Sequence, residues 1–455
     1  MKNAKSIDMT SGNLKTQILS FAIPMFFANL IQNLYNITDK IWVGRFLGKI
    51  QLTAVGTAGP VIFLILSLSI GMAIGIAVLI SQNTGSDADK ESILKIIDSS
   101  LIIAVSISAI MTAAGLLCFS SVLKLMGTSP QVMEYAKKYM FIILLGTPFV
   151  FYTNAVGAIL RGMGDAKTPT VIAGIASIIN IALAPALIIP FGISGASIAA
   201  VFSQLAGFIL SHIKIIKLRR EYADTNKKMC FCKGDSIMLL KLGIPATLQQ
   251  GLLSIANMMV LSIINSYKNE DISSAFWAGH SFDSLAFLPA FAIGAALSTS
   301  AGQNTGAKNI KRVNETAKTG LLYIAIINGL ILMAGYFLSP YIAKIFLPND
   351  YAAMEQTVIY LKIFCFYYLP FGLMTILNSV VQGIGNTLLP MIVTVLSVYA
   401  IRLPLANYLA YHTDFGIKGV YIGMAISPIF GFLAILIYYL SGSWKKRVEK
   451  GEIKA

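Results

Sequence analysis

Four polar side chains stand three, four and three residues apart in an otherwise apolar stretch, FAIPMFFANLIQNLYNITDKIWVG: Asn29, Gln32, Asn36 and Asp39. At 100° per residue a helix would carry them on one stripe about 80° wide. Three amides and a carboxyl group on one face suit the handling of an ion. A carboxyl group taken out of water exchanges a proton nearer neutral pH, and amide and carbonyl oxygens beside it could equally hold Na⁺. The competing reading is interhelical hydrogen bonding, which Asn and Gln commonly supply. A second set, Trp277, His280 and Asp283, recurs every three residues with Pro289 after it, and Arg402 lies in a later apolar stretch. A buried Asp283–Arg402 pair is expected, as working charges or as structural neutralisation. His280 is expected to serve as a hydrogen-bonding residue rather than a metal ligand.

Other candidates carry less. Asp87, Asp89 and Glu91 are interrupted by Lys90 and read as a solvated loop, not a metal-diphosphate patch. Asp98 and Asp165 fall at the edges of apolar stretches and are expected to face water. The cysteines at 118, 230, 232 and 365 are too few and scattered for a disulfide framework, and Cys230-Phe-Cys232 lacks the second ligand pair of a zinc site.

The elements that position these residues follow from composition. Hydrophobic residues make up 56% and charged residues 12%, with a mean hydropathy of +0.74, so the solvent is lipid. The run from Leu52 to Gln82 holds no charge and is long enough to cross a bilayer core of about 30 Å. Spans are expected at 18–43, 52–82, 97–121, 135–160, 169–190, 194–217, 238–265, 274–302, 318–340, 354–381, 388–411 and 417–441. The first is too long for a signal segment and carries an internal aspartate. A net charge of +15 would suggest nucleic acid in a soluble protein, but location decides otherwise. Of the 35 Lys and Arg, 24 fall in segments assigned to one side, which places both termini in the cytoplasm of a cell-membrane protein. The basic 214–241 region lacks the interleaved aromatics of a nucleic-acid binder.

The chain also repeats. QNTG stands at 82–85 and again, letter for letter, at 303–306. The same offset matches Ile23-Pro24 with Ile244-Pro245, Asn36 with Asn257, and Gly162-x-Gly164 with Gly383-x-Gly385. Beyond Pro390 the offset lengthens slightly, matching Phe191-Gly192-Ile193 with Phe415-Gly416-Ile417, as a short insertion before Phe415 would cause. QNTG itself reads as a turn that ends the second span of each copy, with Gly85 and Gly306 permitting it. The acids are not repeated: Val260 stands opposite Asp39, and Ile62 opposite Asp283. Six spans per copy give both copies one orientation. The expected fold is an all-α membrane protein of twelve helices in two parallel-related six-helix lobes. Residues 1–217 form the N-lobe, 218–237 a cytoplasmic linker, and 238–455 the C-lobe with a basic tail. Such lobes enclose a cleft suited to alternating access.

Pro24…Asn33-x-x-Asn36-x-x-Asp39, QNTG and LRGMGDAKTP, with the second copies AGQNTGA, VQGIGNTLLP and SLAFLPAFAIG, resemble the MATE family of multidrug and toxic compound extrusion transporters. The resemblance covers almost the whole chain, and Asp283 with Arg402 looks like the branch holding bacterial MepA-type and DinF-type members. It implies an ion-coupled antiporter, not an enzyme, without a cofactor beyond H⁺ or Na⁺. Its cargo would be small molecules, bulky organic cations and drugs, handled by a monomer in the lipid bilayer. By position it makes Asp39, Asn36, Asn180, Asp283 and Arg402 the coupling residues, with Na⁺ at Asp39 and Asn180 as one option. Ala184 stands where many members carry a second aspartate, and Ala200 where a threonine is often seen. Gln32, Tyr35, Asn257, Trp277, His280 and Asn378 are the candidates for contacting substrate. The alternative is a lipid-linked oligosaccharide flippase of similar layout, which should line its cleft with several basic residues.

Overall fold

A backbone in hydrocarbon must satisfy its own N–H and C=O groups, and a long apolar run does so as a helix. The computed structural model describes residues 7–126, 128–222, 229–348 and 350–450. Among them twelve helices are long and apolar enough to cross a membrane. They are α1 (Leu14–Leu47), α2 (Ile50–Gly85), α3 (Lys90–Leu125), α4 (Pro130–Gly162), α5 (Lys167–Phe191) and α6 (Ile193–Tyr222). The second set is α7 (Lys233–Asn265), α8 (Glu270–Gly306), α9 (Ile310–Phe337), α10 (Tyr351–Gly383), α11 (Leu388–Tyr411) and α12 (Ile417–Leu440). Short helices at Ser339–Phe346 and Ser443–Lys450 complete the described elements, which include no strand. All twelve expected spans are present.

α1 and α7 run on through Pro24 and Pro245. Two other spans do not stay regular, and both carry candidate residues. α8 is interrupted at Phe287, between Asp283 and Pro289. α11 widens into a π-helical turn at Leu396–Arg402, two residues before Pro404. Proline lacks an N–H and crowds the carbonyl four residues back. One extra residue in the preceding turn relieves that conflict and sets Arg402 at its end.

The repeat reappears as backbone conformation. Asp87 and Lys308 have φ of 50° and 55°, and Gly164 and Gly385 have 91° and 93°; each pair is related by the QNTG offset. Gly192 and Gly416, at 60° and 53°, are related by the longer offset of the later part. The first four residues share one closure, in which the next N–H reaches back to a carbonyl five residues earlier: Ala88 to Asn83, Asn309 to Asn304, Asp165 to Leu160 and Asn386 to Val381. The QNTG turn is therefore made at Asp87 and Lys308. Gly85 and Gly306 close the helices in ordinary helical conformation, which corrects the role read for them from sequence.

The described chain sorts into two compact units. One takes Ile7, Asp8 and Phe27–Gln250; the other takes Met9–Phe26 and the chain from Gly251. In the first unit, Leu239 and Leu242 at the start of α7 complete a core with Ile76, Ile80, Ile97, Val156 and Ile159. Gly75 approaches Gly243 so closely that a Cβ on Gly75 would lie 2.7 Å from the Gly243 nitrogen. Just before α7, the Cys230 N–H donates to Asp98 Oδ2 at 3.1 Å and the Cys232 N–H to Ser99 Oγ at 3.0 Å. Asp98 is also paired with Arg219 at 2.8 Å.

In the second unit the residues before α1 are gripped in the same way. The Met9 N–H donates to Gln303 Oε1 at 3.0 Å, and Asn304 Nδ2 donates to the Met9 carbonyl at 3.0 Å. Arg312 donates to the carbonyls of Met9 at 2.8 Å, Ser11 at 2.9 Å and Gly12 at 3.0 Å. Met9 and Cys230 are themselves matched by the QNTG offset. Asp98 and Asp165 correct another expectation. Both are buried rather than water-facing, Asp165 accepting from the Thr168 N–H and hydroxyl at the first turn of α5.

Candidate functional site

In the first unit, α1 brings Asp39 into the protein, 7% exposed, where its charge acts on the hydroxyls of Tyr35 and Tyr139. Asn180 on α5 is 1% exposed, and neither of its amide atoms meets a hydrogen-bond partner. One turn beyond Asp39, Val43 packs in a cluster with Tyr139, Met140 and Ala184; Ala184 is one turn beyond Asn180. The cluster thus draws Asp39, Tyr139 and Asn180 to one region of α1, α4 and α5. The polar stripe of α1 divides: Gln32 and Asn36 are exposed, Asn29 half-buried and Asp39 buried, while Tyr35, off the stripe, is half-buried. Asn33, off that stripe, bonds back to the Asn29 carbonyl at 3.2 Å.

In the second unit, Asp283 on α8 is 1% exposed. Tyr360 donates a hydrogen bond to its Oδ2, and Tyr368 donates to its Oδ1 at 2.5 Å. Both phenols come from one face of α10. His280 lies one turn before Asp283, its Nδ1 3.9 Å from Oδ2 and its side chain 50% exposed. The His280 ring stacks on Phe276 at 5.7 Å and meets Trp277 edge-on at 6.0 Å.

Arg402 does not pair with Asp283. It is 5% exposed and donates from Nε to Ser427 Oγ at 3.0 Å and from Nη2 to the Tyr367 hydroxyl at 3.1 Å. Its guanidinium also lies over the Tyr367 ring, 5.4 Å from the centroid. Tyr367 feels the charge of both Arg402 and Asp283, so the expected direct pair is replaced by two charges with a shared aromatic neighbour. Of the other candidates, Trp277 and Asn257 are exposed and Asn378 is buried in α10.

Two acids in two six-helix sets, each beside a tyrosine, invite comparison with known proteins. The MatE family profile matches residues 24–186 and again 245–408, the two halves of the repeat. This chain belongs to the MatE family. It is 30% identical to "Probable multidrug resistance protein YpnP" of Bacillus subtilis, over 97% of this chain and 98% of that protein. It is 26% identical to "Probable multidrug resistance protein NorM" of Thermotoga maritima, over 95% of this chain and 94% of that one. A MOP superfamily transporter from Pyrococcus furiosus superposes with a TM-score of 0.91 at 24% identity, over 99% of this chain and 100% of the other. At that identity the likeness shows the fold alone. The MATE family consists of membrane transporters rather than enzymes, and multidrug efflux with small-molecule cargo is the family's function.

Within this MATE transporter, the tyrosines of α4 and α10 are what sequence reading missed. Tyr360, Phe364, Tyr367, Tyr368 and Phe371 recur at helical spacing on α10, and a buried phenol needs a hydrogen-bond partner. That stripe was a signal for the Asp283 site. The repeat held a further one, because the QNTG offset also carries Tyr139 onto Tyr360. Each half therefore sets an equivalent α4/α10 tyrosine beside its acid, although the acids come from non-equivalent helices, α1 and α8.

Proposed function

We propose that this MATE transporter exports bulky, often cationic organic compounds in exchange for protons, by alternating access of its two halves. The observation that carries the reading is the environment of Asp283: a fully buried carboxyl group held by two phenols and not neutralised by Arg402. A carboxyl group without a permanent counter-charge gains most from holding a proton when it is out of water. Asp39, buried beside Tyr35 and Tyr139, is the matching group of the first half. Proton binding and cargo binding need only favour different states of the cycle for the two fluxes to couple.

A second reading, Na⁺ at Asp39 and Asn180, is favoured by the buried, unmet amide of Asn180. Sodium takes hard oxygen donors, and the Asn180 carbonyl oxygen is one. The flippase reading is weaker, because among the described residues Arg402 is the single buried arginine or lysine and is already engaged by Tyr367 and Ser427. The distribution of Lys and Arg supports a cell-membrane protein with both termini in the cytoplasm.

Dye efflux in everted vesicles, with pH and Na⁺ gradients imposed separately, tests all of this. Transport should follow the pH gradient, and Asp283→Asn and Asp39→Asn should each abolish most of it while leaving the protein folded. Full gradient-driven efflux by both variants would overturn the assignment. A response to Na⁺ alone would select the second reading.

A further inference from the structure

We propose that His280 is the proton relay that loads and unloads Asp283. The proposal rests on proton antiport through Asp283 and adds the route by which the proton arrives. Among the described residues, three side chains meet the Asp283 carboxylate: Tyr360, Tyr368 and His280. The two tyrosines are fully buried, whereas His280 is half-exposed. His280 is therefore the group through which this carboxylate communicates with an outside phase.

The placement follows from helix geometry. Residues three apart stand on the same face of α8, so a residue at 280 overlies one at 283. Stacking on the buried Phe276 fixes the plane of the imidazole with Nδ1 towards Oδ2. A small turn of the His280 side chain closes the 3.9 Å gap to hydrogen-bond distance. A histidine inside a membrane span is otherwise costly, and its working range covers pH 5 to about 8.

The transfer balances. An imidazolium at His280 gives its Nδ1 proton to Asp283 Oδ2, leaving a neutral imidazole that keeps its Nε2 proton and a neutral carboxylic acid. A proton from water returns the ring to imidazolium, and the reverse sequence unloads the site. The groups facing the pair from neighbouring elements are Tyr360 and Tyr368 on α10, with Tyr367 and Arg402 behind them. Cys365, also on α10, adjoins Tyr368. The 339–346 helix packed on α8 adds Tyr341 and Lys344, both exposed. The second part of α8, Leu288–Gly306, holds no titratable side chain.

The test is pH-gradient-driven dye efflux in proteoliposomes of the full chain, comparing wild type, Asp283→Asn, His280→Ala and His280→Gln. At saturating dye, both His280 variants should lower the rate about a hundredfold or more, in keeping with loss of a positioned proton-transfer group. The dye concentration for half-maximal rate should stay within about twofold. Added imidazole should restore the His280→Ala rate but not that of Asp283→Asn. Wild-type rate and pH profile in both His280 variants, with Asp283→Asn inactive, would overturn the relay and leave proton antiport standing. So would a His280→Ala defect confined to dye affinity, or one that imidazole does not repair. Full activity in Asp283→Asn would instead remove proton coupling through Asp283, on which the relay rests.

Discussion

At the scale of the residue, a carboxyl group that gains and loses a proton in each cycle needs partners that tolerate both states. Phenols do, whereas a buried arginine would fix the negative charge. The structure gives Asp283 two phenols and turns Arg402 towards Tyr367 and Ser427. Arg402 then reads as a post that holds α10 and α12 to α11, and its substitution should show in stability before transport. Lysine cannot donate from two fixed positions and stack at once. Arg402→Lys should cost about 1–3 kcal/mol through lost hydrogen bonds, seen as a lower thermal midpoint in detergent. An unchanged midpoint would mean that the two bonds contribute nothing. Asp39, Asp283, His280 and Arg402 were all legible in the sequence, since ionisable groups in apolar runs are rare. Their partners were not. Charge complementarity suggested Asp283 with Arg402, but a hydroxyl leaves no charge to match, and the pointers to these phenols were the α10 stripe and, for Tyr360, the repeat of Tyr139.

At the scale of the element, the spans were legible because run length and charge alone decide them in a bilayer. What a span does at a proline was not. Pro24 and Pro245 leave their helices continuous, while the irregular turns lie before Pro404 and at Phe287. The helix ends were also misread in one respect. Glycine favours a left-handed residue but is not required for one, and the same closure is made at Asp87 and Lys308. The second QNTG has a further task, with Gln303 and Asn304 holding the Met9 backbone and Arg312 extending the grip to Gly12. Arg312→Ala removes the hydrogen bonds to the Met9, Ser11 and Gly12 carbonyls. The expected result is faster proteolysis at 9–13 and a thermal midpoint lower by several degrees, with Lys311→Ala, exposed beside it, as the neutral control. Equal behaviour of the two variants would show that the clamp does not hold the start of α1.

At the scale of the whole molecule, the repeat accounts for the backbone and fails for the acids. Val260 sits in a packed cluster where Asp39 has its counterpart, and Ile62 packs where Asp283 has its own. A duplicated frame therefore carries two buried acids, Asp39 on α1 and Asp283 on α8, at non-equivalent positions. The partition of the chain makes a stronger prediction than the repeat does. The first unit's core is completed by Leu239 and Leu242, which belong to α7, and the Gly75–Gly243 approach leaves no room for another filling. A fragment ending at Tyr222 should thus expose the apolar face of α2 that α7 covers, and be degraded or aggregate when made alone. A fragment beginning at Met229 should fare as badly, because the Arg312 and Gln303 groups that grip Met9–Gly12 would be left unmet. Produced together, the two fragments should rescue each other, co-purify and restore dye efflux, because the missing pieces are supplied by packing rather than by the peptide between them. A stable, monodisperse 1–222 fragment with the thermal midpoint of the full chain would show that the first unit needs nothing from α7.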